Sequence, residues 1–463
     1  MREVGQNGMM RSARRVGGVA LLAVRASLRT KVVAALLALL AVCVAGLPGA
    51  IKGDGTPEGA LQILLSYTLG FAFGLLCLAT MWSACALFAA EIDSERMQLS
   101  AVKPVSALEF WGGKWLALLA LNAVLLAAVY AGVYGQVRWR MARGAWDELE
   151  RPVSRRVARP VLPTPQEEAR EMYASLKAQG ALPEGKSERA VLRVLEEKAH
   201  ERYDVVNPDE EMRWRFRLAR PVGAGQAVTA RIRFDTEFST REHVTGVCRL
   251  RCLDVPGSAA VEVAMDDFTR SEIEFAVDTR AFGLGGGKGP EAAREFELTF
   301  RHTGDLRRAA GLMLRSRQDV ALLTPGGSFE ANMARAALVH WGVLALLAAF
   351  GLALSACFSL PVAAFVATAL LVLTMVGNSV VQVVSEEDER ELKNRVGIWV
   401  SRGVHEVSAR AMEAEPLVSL TRGERIEDRL LAASVMWNGV LVPLFFAAAG
   451  SWVLRRRELA DAD

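Results

Sequence analysis

Long apolar stretches alternate with charged ones along this chain, and the apolar stretches predict membrane-spanning helices. Six windows have the length of roughly 20 mostly apolar residues that a bilayer requires, and none has Asp, Glu, Lys or Arg at its centre. The more polar side chains within them are Asn122, His340, Asn378 and Asn438. The six predicted spans are 32–51, 61–90, 115–135, 335–357, 361–384 and 432–454.

The 136–334 stretch has the pattern of a water-soluble insert between the third and fourth windows. Residues 164–205 have a helical pattern, whereas over 212–325 apolar and polar residues alternate in short runs separated by Gly- and Pro-rich breaks. Such runs predict a mainly antiparallel β-sandwich. The fold class is therefore an all-α membrane domain of six transmembrane helices with a large α+β insert. We expect the arginines of these runs to be solvated, with an anion-binding surface as the alternative: Arg213, Arg215, Arg217, Arg231 and Arg233.

Two further stretches have the pattern of helices that lie at the membrane surface. Residues 16–31 form one of them within the N-terminal region, 1–135, which also holds the first three spans and the 91–114 loop. The other is the 385–431 segment of the C-terminal region, 335–463. Its apolar stripe consists of Val396, Trp399, Val400, Val404 and Val407.

Basic residues in the short flanks of the spans predict the orientation of the chain. They are concentrated in the N-terminal tail, in the 91–114 loop and at 455–457. Both termini and this loop are therefore expected in the cytoplasm, and the insert outside. The 385–431 segment carries eight basic residues, which argues against an external position, but the number of spans places it outside.

The composition excludes several classes of function. A net charge of +3 over 463 residues gives no reason to expect nucleic-acid binding. The pair Cys248 and Cys252 lacks the second pair of ligands that a zinc site needs, so the two are expected to be buried thiols or a disulfide across a bend. The spans show none of the carboxylates that proton- or sodium-coupled transporters need. No catalytic residue, cofactor site or metal site is predicted.

Residues 180–187 match the phosphate-binding loop pattern G-x4-G-K-[ST] letter for letter. That loop must follow a buried strand so that its backbone amides can hold phosphates. Here a charged helical pattern precedes it and Pro183 removes one amide. We interpret the match as a turn between two helices.

The 91–114 loop has the most distinctive pattern in the chain. It begins with acidic residues and continues as a short apolar helix that ends at Pro104. Ser106 is followed three residues later by Glu109, the spacing of a capping box at the start of a helix. The sequence predicts two short helical pieces with a turn between them against one face of the membrane, although an ordinary amphipathic connector would have a related pattern.

This loop resembles the coupling region of the type-2 ABC-transporter permease family. The positions that carry the resemblance are Glu91, Glu95, Leu99, Pro104, Ser106, Glu109, Gly113 and Lys114. Two departures are Met97-Gln98, where the family has Gly-Thr, and Ala107, where it has Arg. The segments 437–443 and 455–459 also resemble the last helix of the family and its R-R-E-L end, and 416–423 resembles the external helices before it.

The resemblance implies that the chain is the permease subunit of an ATP-driven exporter in a bacterial cytoplasmic membrane. Its expected partners are a cytosolic ABC ATPase and a second copy of the permease or a related one. ATP and magnesium would bind to the ATPase, so this chain would not itself be an enzyme. The insert would meet a substrate or an envelope protein. The alternatives are a membrane-anchored extracytoplasmic binding or scaffold protein without transport activity and, disfavoured by the missing motifs, a membrane enzyme.

Overall fold

The computed structural model describes most of the chain in two compact units. The first unit comprises 1–154 and 328–463, and the second comprises 155–327. The residues that the structure describes are 2–29, 31–51, 57–92, 106–143, 152–179, 188–200, 203–236, 242–285, 290–304, 311–381 and 415–460.

The first unit is helical. In its N-terminal half, a π-helical turn at Ile63–Thr68 joins the helices Pro57–Gln62 and Leu69–Ile92. In its C-terminal half, a second π-turn at Trp437–Leu441 joins the helices Asp428–Met436 and Val442–Ala460. The helices of the unit are α1 (Arg2–Arg29), α2 (Lys31–Ala50), α3 (Pro57–Gln62), α4 (Leu69–Ile92), α5 (Ala107–Ala142), α9 (Phe329–Cys357), α10 (Leu360–Val381), α11 (Pro416–Thr421), α12 (Asp428–Met436) and α13 (Val442–Ala460).

Five helical segments among the described residues are long and apolar enough to cross a membrane, which makes this a multi-pass membrane protein. They confirm five of the six predicted spans. The sixth, 361–384, coincides with α10, but the apolar stretch described there covers only Leu360–Leu370, so six spans are not confirmed. The five segments are Val33–Ala50, Gly59–Leu87, Ala107–Ala142, Phe329–Cys357 and Asp428–Leu454.

Small residues allow the spans to pack closely. A Cβ at Gly351 of α9 would lie 2.7 Å from the Cβ of Ala84 on α4, closer than two such atoms can approach. Glycine at such contacts brings helix backbones together, and this packing holds helices together in a bilayer, where burial from water contributes little. Large apolar side chains on the outside remain exposed, as expected for surfaces that meet lipid: Phe71, Trp82, Phe365, Phe445 and Trp452.

The second unit contains two four-stranded sheets around one core. The strands are β1 (Ser154–Ala158), β2 (Asp204–Val206), β3 (Glu211–Gly223), β4 (Ala227–Arg233), β5 (His243–Cys252), β6 (Val261–Phe268), β7 (Glu272–Asp278), β8 (Ala292–His302), β9 (Leu312–Leu314) and β10 (Val320–Gly327). The strand orders of the two sheets are β1-β10-β4-β7 and β3-β8-β5-β6, and β2 and β9 form a short pair beside them. The pairings with a described register are antiparallel.

The predicted alternation decides which side of β3 faces the core. Trp214 and Phe216 are buried there, and Phe234 beyond β4 packs against Phe300 of β8 with ring centroids 4.5 Å apart. The helices α6 (Pro165–Ala178) and α7 (Glu188–His200) pack on each other through a small separate apolar cluster, and a short helix, α8 (Ser316–Asp319), comes directly before β10. An α+β unit built mainly of antiparallel strands is thus confirmed.

The arginines of the second unit have two different environments. Arg215 and Arg217 on β3 are solvated, as predicted, and lie 3.5 and 3.6 Å from glutamates of the neighbouring strand β8. The prediction of a solvated face is wrong for Arg231, whose side chain is only 8% exposed. β4 is an inner strand of its sheet, and the Arg231 guanidinium lies 2.6 Å from the Glu274 carboxylate on β7, which Arg155 also contacts at 2.7 Å.

Several expected boundaries differ from the structure. The third span continues to Ala142 and the fourth begins at Phe329, so the compact unit 155–327 is shorter than the predicted insert 136–334. The N-terminal helix also begins well before residue 16, at Arg2. Most of the 385–431 segment, including its apolar stripe, lies outside the described residues.

The ion pair of Glu274 with Arg231 provides a test of the second unit. Burial alone would raise the pKa of Glu274, but the hydrogen bond from Arg155 and the charge of Arg231 outweigh burial and hold it below its ordinary value of 4.5. In a fragment of residues 152–327, Glu274→Gln should lower the free energy of unfolding by about 2–3 kcal/mol at pH 7, because it leaves a buried guanidinium poorly paired. Urea unfolding monitored by tryptophan fluorescence measures this change.

The matched control is Glu262→Gln. Its carboxylate lies 2.7 Å from Arg249, but both side chains are well exposed, so the loss should be about 0–1 kcal/mol. The low folded-state pKa of Glu274 stabilises the fold above pH 4.5, and this contribution disappears as the pH falls below that value. In Glu274→Gln, the free energy of unfolding should therefore decrease less steeply as the pH falls below 4.5. Equal losses in the two variants would contradict the role given to the buried pair.

Candidate functional site

Of the predicted coupling residues, the structure describes those at the two ends of the 91–114 loop, and the second end in detail. Glu91 belongs to the last turn of α4, where only the backbone is described. Glu95, Leu99 and Pro104 lie outside the described residues. The other four, Ser106, Glu109, Gly113 and Lys114, occupy the cap and first two turns of α5.

The capping box predicted at the start of α5 is confirmed. The Ser106 hydroxyl accepts a hydrogen bond from the Glu109 backbone N–H at 3.2 Å, and the Glu109 carboxylate accepts one from the Ser106 N–H at 2.9 Å. Two backbone donors that the helix cannot satisfy are thereby paired. The box fixes the residue at which the loop ends and the long helix α5 begins.

Glu109 also connects α5 to the N-terminal helix α1. The Arg15 guanidinium lies 3.6 Å from its carboxylate, and the Ser12 hydroxyl forms a hydrogen bond with it. Ser12 and Arg15 are three residues apart, so they share one face of α1. One carboxylate therefore caps α5 and holds α1 against it.

Gly113 allows the backbones of these two helices to approach each other. A Cβ at this position would lie 2.6 Å from the Val19 side chain and 3.0 Å from the Val16 carbonyl oxygen. The first distance is too short for real atoms, and the second is tighter than nearly all real Cβ contacts, so a side chain here would require a shift of one helix. At the neighbouring Gly112, a Cβ would have no atom within 4 Å, so the requirement for glycine is specific to position 113.

Lys114 connects the same turn of α5 to α4, the helix that leads into the loop. Its side chain is 1% exposed, and its ammonium group donates a hydrogen bond of 2.6 Å to the Leu87 carbonyl oxygen. The ammonium also lies 4.6 Å from the centre of the Phe110 ring. A lysine is buried this completely only when it is paired, so this contact fixes the spacing of the two ends of the loop.

A third helix, α13, packs against the same part of α5. Trp111 is 2% exposed, and a Cβ at Gly450 would lie 3.1 Å from its indole nitrogen. The first two turns of α5 are therefore held by α1, α4 and α13 together.

Some polar residues within the spans are hydrogen-bonded to polar residues of another span. The His340 Nδ1 atom lies 2.9 Å from the Tyr130 hydroxyl, and its ring stacks on Phe73 with centroids 3.7 Å apart. Thr80 donates a hydrogen bond of 3.0 Å to the Asn122 side-chain oxygen. These contacts join spans by side-chain hydrogen bonds, as is common inside bilayers. His340, which could also have lined a pathway, has the surroundings of a packing residue.

The described residues offer no site for a metal: no three His, Cys, Asp or Glu side chains among them are grouped suitably. Cys248 and Cys252 are both buried and unbonded, which leaves the buried-thiol interpretation rather than the disulfide. Burial raises the pKa of Cys248 to about 12, so it stays a thiol at neutral pH and is a poor nucleophile. Residues 180–187 lie outside the described part, and the element before them is the helix α6 rather than a strand.

Sequence reasoning missed the partners of the coupling residues. Ser12, Arg15 and Trp111 have ordinary sequence surroundings, and only the fold brings α1 and α13 to α5. One signal was present: two glycines in succession one turn after a capping box suggest that something lies close to the helix. The sequence could not show which of the two glycines is in contact, or with what.

Comparisons with models of known protein families, with characterised proteins and with solved structures found no significant match.

The contact at Gly113 makes a direct prediction. Gly113→Val should push α1 away from α5, because the added side chain would occupy the position of Val19. Gly112→Val makes the same change one residue earlier, where an added Cβ has no atom within 4 Å, so α1 should stay in place. Amide hydrogen exchange of residues 11–27 in the detergent-solubilised protein measures the difference.

We expect exchange in α1 to accelerate by about tenfold or more for Gly113→Val, since overpacking typically costs about 1–3 kcal/mol. Exchange for Gly112→Val should match that of the parent protein. Equal exchange in both variants would show that α1 does not depend on this contact.

Proposed function

We propose that this chain is the permease subunit of an ATP-driven ABC exporter and works with a separate cytosolic ATPase. One observation supports this more than any other. The residues by which the 91–114 loop resembles the coupling region of such permeases include Ser106, Glu109, Gly113 and Lys114, and each of these four has a distinct structural task at the start of α5.

The arrangement suits the reception of a mechanical signal. A loop that moves with a cytosolic partner can act on the spans only if its ends are fixed to them. Lys114 fixes the two ends relative to each other, and Glu109 and Gly113 fix α1 to the same turn. In the proposed mechanism the ATPase binds the loop and α1. Closure of the ATPase subunits on ATP then tilts α5 and the helices packed on it.

The remaining parts of the proposal follow from the same assignment. ATP and magnesium bind to the ATPase and not to this chain, and a second permease copy or a related permease completes the pathway. Both termini and the loop lie in the cytoplasm of a bacterial cell, and the unit at 155–327 lies outside the cytoplasmic membrane. There it meets the exported substrate or an envelope protein.

One observation favours a second candidate, a membrane-anchored binding or scaffold protein without transport activity. The unit at 155–327 has its own core and its own compact fold, so it could act without any movement of the spans. The two candidates differ in a single respect that can be measured, which is the presence of an ATPase bound to the loop.

Affinity purification from native membranes tests the proposal. We expect a protein with phosphate-binding-loop ATPase motifs to co-purify with the chain in near-stoichiometric amount and to hydrolyse ATP. Glu95→Ala combined with Pro104→Gly should reduce the bound ATPase by about tenfold, the effect of losing about 1.4 kcal/mol of binding. Glu262→Gln, in the second unit, is the control and should leave it unchanged. Purification without an ATPase would favour the scaffold.

The orientation has its own test by cysteine labelling in intact cells. In a variant without native cysteines, Val161→Cys should react with a membrane-impermeant maleimide, because Val161 is 64% exposed and belongs to the unit expected outside. Ala13→Cys, on the exposed side of α1, should react only after the cells are permeabilised. If only Ala13→Cys were labelled in intact cells, the chain would have the opposite orientation to the one proposed.

A further inference from the structure

A groove with a cavity volume of about 230 Å³ lies between α5 and α9. It begins beside Glu330 in the first turn of α9 and continues to Ala337, about 10 Å along the helix axis. On α5 the corresponding residues are Tyr134 and Tyr130, one turn apart. The lining residues are Tyr130, Ala131, Tyr134, Glu330, Met333, Ala334 and Ala337.

Small side chains create the groove. Ala131 on α5 and Ala334 and Ala337 on α9 stand where larger residues would close the space, and Ala131 and Ala334 are exposed. The volume is below the roughly 300–1,000 Å³ of typical small-molecule pockets. A groove that is narrow, apolar and open along its side fits a slender hydrocarbon chain better than a ring system. Beside it, Leu338 is 40% exposed, as expected for a surface that meets lipid.

The end of the groove beside Glu330 is polar. The Tyr134 hydroxyl donates a hydrogen bond of 3.0 Å to the Glu330 carboxylate. Arg138 lies one turn beyond Tyr134 on α5, close enough to act electrostatically on both of these groups. Because residues four apart share a face of a helix, Arg138 lies on the same face of α5 as Tyr134, so a basic residue follows the acidic end of the groove. Tyrosines are also enriched at the boundary between a bilayer and water.

We propose that this groove binds a phospholipid with a zwitterionic headgroup, with one acyl chain between α5 and α9. The Glu330 carboxylate receives the ammonium group of the headgroup, and the Arg138 guanidinium receives its phosphate. The distance from Glu330 to Ala337 accommodates the upper part of the chain, and the rest continues into the bilayer. This proposal does not depend on whether the chain exports anything, since it requires only that the spans lie in a membrane.

The charges at the rim distinguish this occupant from others. An anionic phospholipid offers a phosphate to Arg138 but no ammonium group to Glu330. The Glu330 carboxylate would then lie beside a headgroup of like charge. A lipid that merely surrounds the protein would have no preference for the headgroup, because general contact with the spans is apolar. A specific site and general lipid contact therefore predict different preferences among headgroups and different effects of filling the groove.

Native mass spectrometry of the delipidated full-length protein tests the proposal. The probes are phosphatidylethanolamine and phosphatidylglycerol with identical acyl chains. We expect one phosphatidylethanolamine to bind at a concentration about tenfold lower than phosphatidylglycerol, the selectivity given by one hydrogen bond to a charged group. Ala334→Phe should abolish this high-affinity binding by filling the groove. Val124→Phe, at a 65% exposed position of α5 away from the groove, is the control and should not.

Glu330→Gln separates the headgroup from the chain. It keeps the shape of the rim and removes the negative charge, so the preference for phosphatidylethanolamine should disappear while a lipid still binds. This variant decides the question alone if Ala334→Phe aggregates on size exclusion. Equal binding of the two lipids to the parent protein, a preference for phosphatidylglycerol, or unchanged selectivity in Glu330→Gln would each overturn the proposal.

Discussion

At Gly113 the absence of a side chain lets the backbone of α1 lie directly against α5, and the rest of the candidate site depends on that contact. It brings Arg15 and Ser12 within reach of Glu109, the residue that also caps α5. On the other side of the same turn, the buried Lys114 holds the end of α4. In the proposed mechanism, these contacts connect the 91–114 loop to the spans.

The polar side chains of the two units find their partners in different surroundings, lipid in one and water in the other. In the spans, some polar side chains pair with one another, as in the contacts of His340 with Tyr130 and of Thr80 with Asn122. In the second unit, arginines such as Arg215 point to water, and Arg231 is buried only because Glu274 and other groups surround it. The same chain thus contains a part stabilised by close packing and hydrogen bonds in lipid and a part stabilised by burial from water.

Much of this architecture could be predicted because it depends on local pattern. Runs of apolar residues, the alternation at Trp214 and Phe216, and the spacing of Ser106 and Glu109 each follow from sequence over a few turns or strands. The boundaries of the insert could not, since helices continue past the membrane wherever water can still solvate them. The partners of Gly113, the burial of Arg231 and the groove beside Tyr134 depend on contacts between distant segments, which one sequence does not specify.

The proposed function requires that the 91–114 loop bind an ATPase, and photo-crosslinking tests this contact most directly. A photoreactive amino acid at Leu99 of the full-length protein, activated in native membranes, should form a covalent adduct with a protein that carries ATPase motifs. The same probe at Val161, in the second unit, should form no such adduct. An ATPase adduct at Leu99 alone is the predicted result, and its absence in membranes where the chain is fully expressed would contradict the account.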